Sequence, residues 1–288
     1  MSKYAVILMF VLLIASPSTR AQTVVATEKR PIVDEETARL RNVIAGSKKV
    51  QKILKQAESG TEYRISFVTT KYDPASPYQG YTTINEGSDK KGITVHIAGS
   101  VSRELIELLA SHELFHIVLQ KQGWPSQAQN PLISDQERDT TFQGAVVKDA
   151  TAALMNCYPD ALIDRWMSQR GFTPKVINRR EYQLTVDAAK TSEIPPPQIF
   201  PLWRRYVALV NYCLSIRARD FEMKDVFKAY ERVDPEMAGD QSALEQKLGT
   251  RSGCNNVRSC LEATKKLRHA AGFDGQIKFL NPLTNKWE

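Results

Sequence analysis

The chain has 288 residues, 42% hydrophobic and 25% charged, with a formal net charge of +7. A chain of that length can form one large domain or two small ones. The basic excess is scattered in pairs such as Arg179-Arg180, Arg204-Arg205 and Lys265-Lys266. Without interleaved aromatics it argues poorly for specific nucleic-acid binding and is equally compatible with weak affinity for an anionic envelope surface.

Lys3, the apolar run from Tyr4 to Ala15, and Ser16-Pro17-Ser18-Thr19-Arg20-Ala21 have the three parts of a secretory signal peptide, with cleavage expected after Ala21. The run of 12 residues is too short to span about 30 Å of hydrocarbon, and no cysteine follows it to carry a lipid. Removing residues 1–21 would take away Lys3 and Arg20 and no acid, leaving a charge of +5. An exported protein is expected, periplasmic or secreted, without a transmembrane segment after cleavage. Residues 22–33 read as a flexible N-terminus.

Export gives the cysteines a meaning. Four follow the signal segment, Cys157, Cys213, Cys254 and Cys260, and an even number in an oxidising compartment predicts two disulfides. Three connectivities exist. The short spacing favours Cys254 with Cys260, leaving Cys157 to join Cys213 across two helices. A thiolate metal cluster would need closer paired spacing.

Residues 34–125 read as an α/β part. A charged amphipathic helix is expected from Asp34 to Ala57 and a strand from Glu62 to Thr70. A polar loop containing Pro74, Pro77, Gly80 and Gly87 follows, then a second strand from Gly92 to Ala98. Gly99 and Ser100 end that strand and supply the start of the next helix.

This next helix contains His112-Glu113-Leu114-Phe115-His116. Residues four apart lie nearly above one another, so His112 and His116 can offer two ring nitrogens to one ion while Glu113 sits about 100° round the helix. Two ligands and one base is the division that metal-assisted hydrolysis needs, with Glu113 taking a proton from a metal-activated water and passing it to the leaving amine. The alternative is an ordinary core helix with hydrogen-bonded histidines. On a helical wheel, however, both histidines share the stripe of Leu105, Leu108, Leu109, Phe115 and Leu119, whereas Arg103, Glu107, Ser111 and Lys121 fall on other faces. Burying two imidazoles without partners costs about 1 to 3 kcal/mol each, and a metal removes that cost. Zinc is the expected ion.

Residues 126–288 read as a helical part that completes the cleft, with helices expected over Phe142 to Cys157, Asp160 to Arg170, Val176 to Ala189, Leu202 to Ala218, Lys224 to Arg232, Ser242 to Leu248 and Asn255 to Ala271. Pro195-Pro196-Pro197 reads as a stiff corner. His96, between Val95 and Ile97, is expected to face away from the apolar side of its strand. His269 lies near a helix C-terminus, where a protonated imidazole is favoured. Tyr158, Tyr182 and Tyr206 are phenols that could steady an oxyanion, with nothing to select one.

On these residues, Gly92 to Leu119 resembles the active-site strand and helix of zincin metallopeptidases. In metzincins the motif continues with a glycine and a third histidine at positions held here by Leu119 and Gln122, so that subclass is excluded. The remaining resemblance is to gluzincins, which implies a carboxylate on a later helix as third ligand. Asp149 is the favoured candidate, on an apolar face with Phe142, Ala145, Val146, Ala152 and Ala153, although aspartate departs from the usual glutamate. Glu137 is the runner-up, in a strongly polar stretch. Asp160 and Asp164 rank below it, because Pro159 is expected to begin a new helix and turn them elsewhere.

The expectation is thus an α+β protein, with a small zincin-like sheet-and-helix part followed by a mostly α-helical part. It would be an exported zinc metallopeptidase acting on a peptide or protein substrate. Zinc would be held by His112, His116 and Asp149, with Glu113 as catalytic base. The alternative is a non-catalytic zincin-like metal-binding or envelope interaction protein.

Overall fold

The computed structural model of the protein describes residues 35–61, 63–71, 79–85, 92–125, 128–129, 141–217, 221, 223–248, 254–281 and 286–287. The expected signal peptide, the 22–33 segment and Glu137 lie outside the described residues.

The expected first helix is two. α1 (Glu35–Gly46) and α2 (Lys48–Glu58) are separated at Ser47, whose side chain accepts a hydrogen bond from the Val50 N–H and starts the second. β1 (Arg64–Thr70), β2 (Gly80–Asn85) and β3 (Gly92–Ala98) form a sheet in the order β1-β3-β2. β3 is therefore central, parallel to β1 and antiparallel to β2, with Arg64 opposite Gly92 and Gly80 opposite Ile97. β2 replaces part of the expected polar loop. Its Tyr-Thr-Thr-Ile run has the β-branched and aromatic character of a strand, and each residue pairs with β3.

Ile65, Phe67, Ile93, Val95 and Ile97 alternate inward along β1 and β3. Against that face packs α3 (Arg103–Lys121), whose N-cap is Ser102 rather than Ser100; the Ser102 hydroxyl accepts from the Leu105 N–H. α3 is buried on almost every side, including Ser111, which the wheel placed on a separate face. A helix that passes between a sheet and further helices has no solvent face over its middle turns.

The rest is helical, making the protein a mixed α+β fold: α4 (Phe142–Gln169), α5 (Lys175–Thr191), α6 (Phe200–Arg217), α7 (Lys224–Tyr230), α8 (Met237–Leu248) and α9 (Val257–Ala270). α4 runs unbroken through Pro159, so the expected boundary between two helices there is corrected. Proline in a helix interior forfeits one backbone hydrogen bond and crowds the preceding turn. Here that cost is carried by dense packing: Leu154, Cys157, Tyr158, Leu162, Ile163 and Met167 are all buried around it. α6 lies along α4, and α9 packs on α4 as well.

A short β4 (Ala128–Gln129) pairs with β5 (Lys278–Asn281), and β5 with β6 (Lys286–Trp287), so the end of the chain returns to the segment between α3 and α4. One contiguous core links residues from Leu40 to Phe279, joining sheet and helices. Cys157 pairs with Cys213 and Cys254 with Cys260, with Cα atoms 4.9 and 4.7 Å apart, as the spacing favoured. Among the described residues no helix is long and apolar enough to cross a membrane.

Candidate metal centre

The Nε2 atoms of His112 and His116 stand one turn apart on α3 and 3.1 Å from each other. α4 crosses beneath them and brings Asp160, whose Oδ1 is 3.2 Å from Nε2 of His116 and 3.6 Å from Nε2 of His112. The three donor atoms form a compact triangle that can hold one metal ion. The histidine side chains are 12% and 20% exposed and the aspartate 2%, so the triangle opens on its imidazole side. Asp160 Oδ1 approaches the imidazoles without the alignment of a hydrogen bond, and His112 Nδ1 is also buried without a partner among the described residues. A buried carboxylate oxygen without a hydrogen bond, facing two imidazole nitrogens, is what a metal site presents.

The charges around the triangle favour the metal-binding form of His112 and Asp160. Burial pushes the His112 imidazole down to about 3, with His116 and Arg217 acting in the same sense and Asp160 against it. Burial also opposes protonation of His116, but Asp160 and Glu113 outweigh it and the group is raised. Asp160 would be raised by burial; the Arg217 guanidinium and the two imidazoles more than offset this and hold it below the usual carboxylate range. The site is thus set to present a neutral His112 and an ionised Asp160, both metal-binding forms.

Glu113 stays outside the triangle. It is buried, and its Oε2 accepts a hydrogen bond from the Thr82 hydroxyl of β2 at 3.0 Å. Burial raises its carboxyl, with His116 and Thr82 partly opposing. Gly80, also on β2, makes room for it: a Cβ there would stand 3.3 Å from Glu113 Cγ and Oε1. β2, which the sequence reading missed, is therefore the wall against which Glu113 rests.

The third place belongs to Asp160, not Asp149. Eleven residues separate the two, three helical turns, so they share a face of α4 about 16 Å apart along its axis. The structure brings Asp160 to the histidines and leaves Asp149 three turns away. Asp149 is buried with neither carboxylate oxygen hydrogen-bonded among the described residues, and burial raises its pKa well above the ordinary value. Asp164, one turn beyond Asp160, faces Arg217 instead of the histidines.

The remaining candidates have other partners. His96 lies 2.9 Å from the Thr83 hydroxyl and stacks on Tyr81 with ring centroids 4.3 Å apart. His269 is exposed and pairs with Asp274. Tyr158 meets Tyr212 hydroxyl to hydroxyl at 3.0 Å, and Tyr182 donates to Asp225.

Two residues of the site were not anticipated, Thr82 and Arg217. Arg217 Nη1 makes a salt bridge to the second oxygen of Asp160 at 2.9 Å. A signal for it existed: Asp160 and Arg217 follow the paired Cys157 and Cys213 by three and four residues, one helical turn in each case. No family model, curated protein or solved structure matches this chain significantly, so the site rests on its own atoms.

Proposed function

We propose that this protein is an exported zinc-dependent peptidase in which His112, His116 and Asp160 hold the metal and Glu113 is the general base. The observation that carries this reading is the triangle of three donor atoms beside a buried carboxylate that stays outside it. Donors around a tetrahedral ion at about 2.0–2.1 Å lie about 3.3–3.4 Å from one another. The edges here are 3.1, 3.2 and 3.6 Å. Two imidazoles and one carboxylate are a donor set that zinc accepts readily, and three protein donors leave one position for water or substrate, as catalytic zinc sites do. Bound there, zinc would supply Lewis acidity toward a substrate carbonyl and a nucleophilic water near neutral pH.

The chain's own residues do the rest. Glu113, ionised, receives the proton of the attacking water and returns it to the leaving amine; its raised pKa makes it a stronger base. Thr82 fixes the direction of that carboxylate. Peptide substrates are favoured by β2, an outer strand bonded to β3 on one side and touching Glu113 through Gly80 and Thr82. An extended peptide added to its other edge would run past the triangle. The strand-and-helix resemblance to gluzincins supports the same reading, with aspartate in place of glutamate because α4 crosses close to α3. Two disulfides and the apolar start of the chain support export.

Elemental mass spectrometry of the purified protein, with Asp160→Ala and Asp149→Ala in parallel, tests the metal. About one zinc per chain is expected in the parent and in Asp149→Ala, and a clear loss in Asp160→Ala. Glu113→Gln should keep zinc while cleavage of a defined peptide library falls by roughly 10²–10⁴-fold. A parent that takes up no zinc would return the protein to the class of non-catalytic interaction modules.

A further inference from the structure

Arg217 closes α6 with its side chain only 5% exposed, at the meeting point of three helices. Nη1 is 2.9 Å from Asp160 Oδ2 and 2.8 Å from Glu181 Oε2 on α5; Nε faces Asp164 Oδ2 at 3.7 Å. Nη2 donates to Asn178 Oδ1 at 3.3 Å, and Asn178 Nδ2 in turn donates to Asp164 Oδ2 at 2.9 Å. The guanidinium is thus clamped from α4 and α5 while its backbone belongs to α6. A planar fork held from two helices has little freedom to rotate, and it grips one oxygen of Asp160.

The geometry points to Arg217 as a positioning residue that makes Asp160 a one-oxygen metal ligand. This rests on the reading of the triangle as a zinc site and adds how its third ligand is aimed. With Oδ2 in the salt bridge, only Oδ1 is turned to the imidazoles, at 3.2 and 3.6 Å. Aspartate has one side-chain torsion fewer than glutamate, so once its outer oxygen is fixed the inner one is fixed too. That accounts for a short side chain serving where a longer one would be expected. Without the guanidinium the carboxylate could offer both oxygens, or swing toward Asn178, and the donor triangle would open. A partner of this kind behind a metal ligand changes metal affinity by about 10–100-fold.

The test uses the purified protein, with zinc affinity measured by chelator competition and coordination read from the visible absorption of the cobalt(II)-substituted form. Arg217→Met should bind zinc about 10–100-fold more weakly and give a changed cobalt spectrum, with far-ultraviolet circular dichroism like the parent. Placed on Asp160→Ala, it should cost nothing further, because its action passes through Asp160. Arg217→Lys keeps the charge without the fork and should show the same spectral change with a smaller loss; it decides the matter if the methionine variant fails to fold. A folded Arg217→Met or Arg217→Lys with parental affinity and spectrum overturns the proposal, as does an equal loss on the Asp160→Ala background. The imidazole nitrogen shifts of His112 and His116 in metal-free protein provide a readout independent of zinc. If the parent takes up no metal, the zinc reading fails by itself, while movement of those signals in Arg217→Lys still supports the positioning role and their constancy rejects it.

Discussion

The hydroxyl of Thr82 donates to Oε2 of Glu113 at 3.0 Å, tying the carboxylate of α3 to the outer strand of the sheet. Thr82→Val keeps the shape and removes the donor, leaving a buried acceptor unsatisfied at a cost of about 1–3 kcal/mol. Under the proposed function, zinc content should stay parental while the rate of peptide cleavage drops, chiefly through kcat. Parental kcat in a variant of demonstrably lower stability would show that the bond holds the fold and not the base.

Gly80 tests the same wall by addition. Its Cβ would stand 3.3 Å from Glu113 Cγ and Oε1, tighter than ordinary contact, and 3.4 Å from the His96 carbonyl oxygen. Gly80→Ala is expected to displace the carboxylate by a few tenths of an ångström and lower turnover severalfold at unchanged zinc content. Displacements of that order matter because reacting groups need near-contact alignment. Unchanged turnover would mean that Glu113 has slack.

The Cys157–Cys213 bond joins the two helices that carry Asp160 and Arg217, one turn before each. Its sequence separation is 56, against 6 for Cys254–Cys260. Loop-closure entropy then gives about 4 and about 2 kcal/mol respectively. Cys157→Ser with Cys213→Ser should lower both melting temperature and zinc affinity, and Cys254→Ser with Cys260→Ser should act mainly on the former. Equal losses of zinc affinity from the two pairs would refute a special tie between the first disulfide and the metal triangle.

Asp149 supplies a dependence on pH. Its carboxyl is raised in the folded protein by burial, with Lys148 partly opposing, whereas in the unfolded chain it returns to about 4. Between those two values the folded state holds the extra proton, so its contribution to stability falls as pH rises. Asp149→Asn removes that ionisation. The variant should gain in melting temperature over the parent from about pH 4 upward, by about 2–4 °C for each kcal/mol relieved. A gap that does not change with pH would show that the Asp149 carboxyl titrates alike in the folded and unfolded chain.

The pair of histidines and the carboxylate between them could be read from the sequence because their relation is local: a helix fixes which residues share a face, whatever surrounds it. The cysteine pairing was legible for a similar reason, since one loop was short enough to close by itself. Helical periodicity places Asp149 and Asp160 on one face of α4 but repeats every turn, so it could not choose between them. That choice was made by where α4 crosses α3, a distance between elements remote in sequence. Pro159 misled for a related reason: its intrinsic preference ends helices, yet the disulfide and the buried side chains around it hold the chain helical. β2, Thr82 and Arg217 belong to the same class. Local chemistry determined which residues can bind and transfer protons; only the packing of helix on helix and helix on strand decided which of them meet.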